Sequence, residues 1–366
     1  MLLNIQRETL LAPLNQICGV VERKQTIPVL GNVLMKTDGN SLLLTASDLE
    51  VEMRSECQAE VSEEGEITVP AQKFLDICKA LPDGAMIKLQ LEEHKCILSA
   101  GKSKFSLSTL PAHDFPVIDD VESYQQIQVD TGDLKRMLKQ TVFCMAVQDV
   151  RYFLNGLLFE VSGNKIRCVT ADGHRLALAE SDYVNDQDIQ KQVLIPRKGI
   201  LELQKMIRDQ DQPVTIHAGR NHIRVDMDDI SMTSKLIDGR FPDYESVIPL
   251  NMENQFSADK ELLKKALQRV AILSNEQYRG VKLKISPDRL ELIGHNPEQE
   301  QAEEIIPVNT EIEGIETAFN VNYLLDATSA IEGDNIQFSF KEALSSCLIK
   351  HPEQTNCRLV VMPLRL

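Results

Sequence analysis

A chain of 366 residues exceeds what one hydrophobic core organises, so two or three domains are expected. Apolar residues make up 43% and charged residues 26%, and no run of about 18 apolar residues occurs, so no membrane partner is expected. The net charge of −16 opposes a polyanionic partner unless the cationic residues are gathered in one place.

The N-terminal stretch MLLNIQRETLLAPL carries Arg7 and Glu8 where an export signal is apolar, so a cytoplasmic location is expected. A helix is predicted over 8–24. The following VLGNVLMKTDGNSLLLTASDLE reads as paired strands, because Leu42 and Leu44 alternate and DGN marks a turn. ITVPAQKFLDICKAL then reads as a strand entering a helix over 72–80, and FSLSTLPAHDFPVI closes the segment.

This order then repeats. A helix over 133–143 leads into FLNGLLFEVSGNKIRCVTADGHRL, with Ile166 and Cys168 alternating around SGN. VLIPRKGILELQKMI supplies the next strand and a helix over 197–208, and SMTSKLIDGRFPDYESVI closes the second copy. In the third copy a helix over 260–270 precedes YRGVKLKISPDRLELIGHNPEQ, and AFNVNYLLDATSAI carries a helix over 322–331. Gly31, Gly156 and Gly280 head the three copies at offsets of 125 and 124; Asp48, Asp172 and Asn296 close them at 124 each. Pro70, Pro196 and Asn320 stand 126 and 124 apart, while Phe115/Phe241 and Pro116/Pro242 hold 126. Several ordered anchors at one period imply internal triplication. The expected fold is α+β, with domains at 1–122, 123–247 and 248–366, each made of two similar halves.

The helical segments are amphipathic. Leu134, Met137, Leu138 and Val142 share one face, opposite Lys135, Arg136, Lys139 and Gln140; Leu263, Ala266, Leu267 and Val270 oppose Lys264, Lys265 and Gln268. Ile200, Leu203 and Ile207 oppose Lys198 and Lys205, with Glu202 interrupting. The six predicted helices hold fifteen Lys/Arg and seven Asp/Glu, a net +8, leaving −24 for the rest of the chain. Gathered positive helices fit a phosphate backbone held without reading bases.

The eight cysteines (Cys18, Cys57, Cys78, Cys96, Cys144, Cys168, Cys347 and Cys357) include no C-x-x-C pair, so free thiols are expected and no metal or cofactor is called for. Asp172 and His174 form an acid/base pair on paper, but no nucleophile motif accompanies them. A hydrolase using them, and a peptide-binding repeat scaffold that ignores DNA, are the two competing readings.

TIPVLGN, SKFSLSTLP, QDVRYFLNG, ADGHRLA, PRKG, DGRFPDY, ILSNE, NPEQEQAEE and the terminal VVMPLRL together resemble the beta-subunit family of bacterial DNA polymerase III, the sliding clamps, from Met1 to Leu366. The resemblance implies a non-enzymatic processivity factor: a head-to-tail homodimer ringing duplex DNA, helices inside and sheets outside. It implies DNA contacts at Arg23, Lys24, Gln72, Lys73, Gln148, Tyr152, Phe153 and Lys198. Gln72 stands where the family has a basic residue, and Phe153 lacks a hydroxyl.

The family also binds peptide motifs of the polymerase III alpha subunit, the clamp-loader delta subunit and other partners. That pocket maps to Leu154, Gly173, His174, Arg175, Leu176, Pro242, Val247, Ser346, Val360, Val361, Met362, Pro363, Leu364, Arg365 and Leu366. Leu, Val, Met and Pro would line it, while Arg175 and His174 would orient polar ends. Ser246, in place of a basic residue, and Ala171, in place of threonine, depart from the family. Ring closure is expected where Lys102, Lys104, Phe105 and Leu107 meet Ile272, Leu273, Glu298, Glu300, Glu303 and Glu304.

Overall fold

The computed structural model describes residues 1–22, 27–118, 125–185, 188–208, 212–250 and 252–365. The two-residue alternation folds into strands, and every strand pairing among the described residues is antiparallel. Equivalent hairpins pair Leu34 with Thr45, Leu158 with Val169 and Lys282 with Ile293, each 124 residues on from the last.

The register corrects one anchor of the repeat. Asn32 lies opposite Pro70, Gly156 opposite Pro196 and Gly280 opposite Asn320, so Asn32 and not Gly31 is the equivalent position. Gly31 instead ends the short 3-10 turn Pro28–Gly31. At position 156 a Cβ would stand 2.4 Å from the Ile195 carbonyl oxygen, so glycine is required there. At position 32 the asparagine side chain fits and donates to Thr68 Oγ1 at 2.9 Å.

Six helices lie among the described residues: α1 (Arg7–Ile17), α2 (Ala71–Ala80), α3 (Thr131–Thr141), α4 (Arg197–Met206), α5 (Lys260–Ala271) and α6 (Val321–Ala330). α1 stops seven residues short of the predicted 24. Cys18 caps it and Gly19, a poor helix former, follows; there a Cβ would meet Glu202 Oε2 at 2.7 Å. The predicted apolar faces are buried: Leu134, Met137 and Leu138 are at most 1% exposed, as are Leu263, Ala266, Leu267 and Val270. Two polar assignments change. Gln140 is buried, its side-chain oxygen accepting from Arg136 at 3.1 Å, and Glu202 lies on the inner face of α4 at 5% exposure. On their observed spans the six helices carry thirteen Lys/Arg and six Asp/Glu, net +7.

The chain divides into two compact units, Met1–Gly132 with Lys198–Leu236, and Asp133–Arg197 with Ile237–Leu366. The second repeat therefore contributes to both. In the first unit, Val51–Gln58 of repeat one pairs with Ile230–Lys235 of repeat two inside an eight-stranded sheet. In the second unit, Arg175–Asp182 of repeat two pairs with Cys357–Val361 of repeat three inside another eight-stranded sheet. The equivalents left over are Ser103–Ser108, an edge of the five-stranded sheet of the first unit, and Gln301–Pro307, an edge of the four-stranded sheet of the second. No described helix is long and apolar enough to cross a membrane.

Candidate partner-binding site

A cavity of about 210 Å³ opens on one face of the second unit's eight-stranded sheet. Its floor follows from register: Ala171 faces Leu176, and Leu176 faces Val360, so three apolar side chains stand in a row across three strands. The turn between the strands adds Gly173 and His174. Gly173 has φ +89°, and a Cβ there would meet the Arg151 guanidinium at 2.5 Å, so the turn requires glycine. Leu154 closes one end from the 3-10 turn Tyr152–Leu154, and the segment carrying Phe241, Pro242, Tyr244 and Val247 forms the opposite wall. Met362 projects at the rim, 44% exposed.

That wall is held by a buried polar cluster. The Tyr244 hydroxyl donates to Glu160, which also receives Gln192 at 2.5 Å and Arg167 at 3.2 Å. Burial alone would raise the Glu160 carboxyl, but these donors outweigh it and hold it below the usual range. Burial, then the bond to Glu160, pushes the Tyr244 phenol well up.

Of the fifteen residues expected here, the structure brings together Leu154, Gly173, His174, Arg175, Leu176, Pro242, Val247, Val360 and Met362. Val361 points to the other face, into the core with Phe256 and Phe338, because neighbours along a strand alternate. Ser346, Pro363, Leu364 and Arg365 lie off the lining; the Leu364 N–H bonds the Ala318 carbonyl at 2.7 Å. Leu366 lies outside the described residues.

Arg175 lines the cavity as expected and is also braced within the chain. Its Nε donates to Asp172 at 3.0 Å, one terminal nitrogen to Asp326 at 2.5 Å and the other to the Phe143 carbonyl at 2.8 Å, with the Tyr323 ring 4.3 Å away. A guanidinium with three of its five N–H groups engaged within the chain braces the site. The polar rim also includes His174, which is exposed, and Arg151, whose bonds to Asp149 help hold that carboxyl down to about 2. Asp172 accepts the His174 and Arg175 N–H groups at 2.9 and 3.0 Å, so its carboxylate shapes the turn rather than activating the imidazole. Phe241 and Tyr244 were missed although both stand in DGRFPDY. Phe153, expected at DNA, packs on this small core.

Among the DNA candidates, Gln72 and Lys73 are exposed on α2, where Gln72 donates to Asp76 at 2.9 Å. Gln148 is exposed with φ +56°, and Tyr152 is 56% exposed. Lys198 bonds Glu22 at 2.5 Å and also Asp48, so a phosphate would compete with two carboxylates for it. Arg23 and Lys24 lie outside the described residues.

Of the seam residues, Lys104, Phe105 and Leu107 lie on the edge strand Ser103–Ser108 and Glu303 and Glu304 on the edge strand Gln301–Pro307, whereas Lys102, Glu298 and Glu300 lie in the turns before them and Ile272 and Leu273 follow α5. Lys102, Lys104, Glu298, Glu300 and Glu303 are exposed, and Ile272 is 76% exposed. Leu273 and Phe105 are half-buried, while Leu107 is already buried in its own chain. Glu304 accepts both Arg269 donors at 2.6 and 2.8 Å.

Comparison with known proteins extends these observations. Three family models match end to end: the DNA polymerase III beta subunit N-terminal domain over 1–119, its central domain over 128–243 and its C-terminal domain over 245–365. The beta sliding clamps of Pseudomonas putida and Escherichia coli K12 are 46% and 44% identical over 363 residues, 99% of each chain. The crystal structure of the DNA polymerase III subunit beta from Pseudomonas aeruginosa superposes with a TM-score of 0.97 at 45% identity, covering all of both chains. Another structure of a Pseudomonas aeruginosa clamp, equally similar, is bound to griselimycin. With its triplicated sheets and helices, the chain belongs to the DNA polymerase III beta-subunit family, the sliding clamps, and has their three-domain fold and their role as a DNA polymerase processivity factor rather than an enzyme.

Proposed function

We propose that two copies of the chain, each of three domains (1–122, 123–247, 248–366), close head to tail into a ring around duplex DNA. The polymerase III alpha subunit, the clamp-loader delta subunit and other partners then dock a peptide in the cavity over Leu176. One observation carries this reading. Two junctions within the chain join the strand equivalents Val51–Gln58 to Ile230–Lys235 and Arg175–Asp182 to Cys357–Val361. The third such pair, Gln301–Pro307 and Ser103–Ser108, consists of two free edges that a second copy can join.

Charge supports the seam, since Lys102 and Lys104 flank one edge and Glu298, Glu300 and Glu303 the other. Helices of net +7 in a chain of −16 support a lining that attracts phosphates without selecting bases. The apolar cavity with His174 and Arg151 at its rim supports capture of a short apolar peptide, and the related clamp with griselimycin bound is a precedent for ligand binding on this fold. Replacing Ile272 and Leu273 together by alanine removes the apolar part of the seam. Sedimentation velocity is expected to show a dimer for the parent chain and a monomer for the variant; a dimer persisting in the variant contradicts the seam.

A further inference from the structure

The first unit contains the repeat equivalent of the cavity. Register fixes the correspondence: Ala171, Leu176 and Val360 face one another in the second unit, as Ser47, Glu52 and Thr233 do in the first. Phe115 and Pro116 stand 126 residues before Phe241 and Pro242, and Ile118 the same distance before Tyr244. The two copies differ in how the wall is held. In the second unit Tyr244 is drawn sideways to Glu160, supported by Arg167 and Gln192. The first unit has Lys36, Leu43 and Glu66 at those three places and so lacks this anchor. Its wall is tied to the floor instead. Glu52, with its side chain fully buried, accepts the Ile118 N–H at 2.8 Å and Arg54 Nε at 2.6 Å, and Arg54 donates to the Ile118 carbonyl at 3.0 Å.

We propose that the junction of the first and second repeats is a second peptide pocket held shut by the Glu52–Arg54 latch, and that this latch limits the chain to one partner peptide. The proposal rests on the reading that the open cavity takes a peptide. A buried carboxylate is costly to desolvate, so an apolar pocket has no use for one at the centre of its floor; closing the wall onto that floor does. The latch is self-contained, because both polar groups of the Ile118 backbone are satisfied by the pair. Its removal by two leucines is sterically modest and matches the apolar pair at the open site, Leu176 and Leu178.

The test compares the parent with E52L/R54L, using a labelled peptide spanning the clamp-binding motif of the polymerase alpha subunit as the probe. Binding stoichiometry is read by calorimetry and Ile118 amide exchange by mass spectrometry. The expected result is one peptide per parent chain and two per variant chain, with Ile118 exchange at least about tenfold faster in the variant. One peptide on both proteins, or Ile118 exchange left unchanged, overturns the latch while leaving the open-pocket reading intact. A parent that binds no peptide sinks both. Should E52L/R54L fail to fold, E52Q keeps the shape and weakens the hold on Arg54. Faster Ile118 exchange in E52Q supports the latch, and unchanged exchange refutes it.

Discussion

Arg175 and His174 are adjacent in ADGHRL and have opposite fates. Three internal partners and the Tyr323 ring hold Arg175, whereas His174 stands exposed at the cavity rim. Arg175→Ala is expected to lower unfolding free energy by about 2–3 kcal/mol in urea titrations, because it strands hydrogen-bonded carboxylates. His174→Ala should leave stability within about 0.5 kcal/mol and weaken peptide binding instead. Tyr244 supplies a pH test. A carboxyl held below its ordinary value of 4.5, as Glu160 is, adds stability that is complete above that pH and is lost as pH falls through the lower folded value. Tyr244→Phe removes one donor, so it should cost about 1–3 kcal/mol at neutral pH and flatten the acid loss below pH 4.5, read by denaturant titration across pH. The lining at Leu154, Leu176 and Val360 was legible through the motifs shared with the family, since an apolar side chain alone does not distinguish a cavity wall from core, as the missed Phe241 and Tyr244 show. The internal capture of Arg175 was not, since Asp326 lies 151 residues away and only folding brings it near.

At the scale of elements, periodicity carried most of the fold. Alternating pairs such as Leu42/Leu44 and the apolar faces of α3 and α5 became core where the pattern placed them. Boundaries were less legible, because a helix end depends on capping and packing rather than on period. Gly19 sits where α1 meets Glu202, a contact no local pattern contains. The Gly31 anchor failed for a related reason: glycine marks many turns, and only strand register separates one turn from the next. Gly156 is the opposite case, imposed by the close approach of the Ile195 carbonyl. Gly156→Ala should force the facing strands apart and cost about 1–3 kcal/mol, read as a lowered Tm.

For the whole molecule, triplication explains why so acidic a chain belongs to a family that serves DNA polymerase. Net charge averages over the chain, whereas the six described helices are net +7 and the remainder is net −23. Among the described residues the same triplication leaves one pair of equivalent strands, Ser103–Ser108 and Gln301–Pro307, unjoined within the chain, the geometric reason for proposing a closed ring of two chains. Retention on DNA tests that ring directly. After loading onto nicked circular plasmid and gel filtration at about 0.15 M salt, where exposed ion pairs are strongly screened, the protein is predicted to stay with the circle. Cutting the plasmid once should release it within the time of the assay. Equal retention on circular and linear DNA would show surface binding and contradict encirclement.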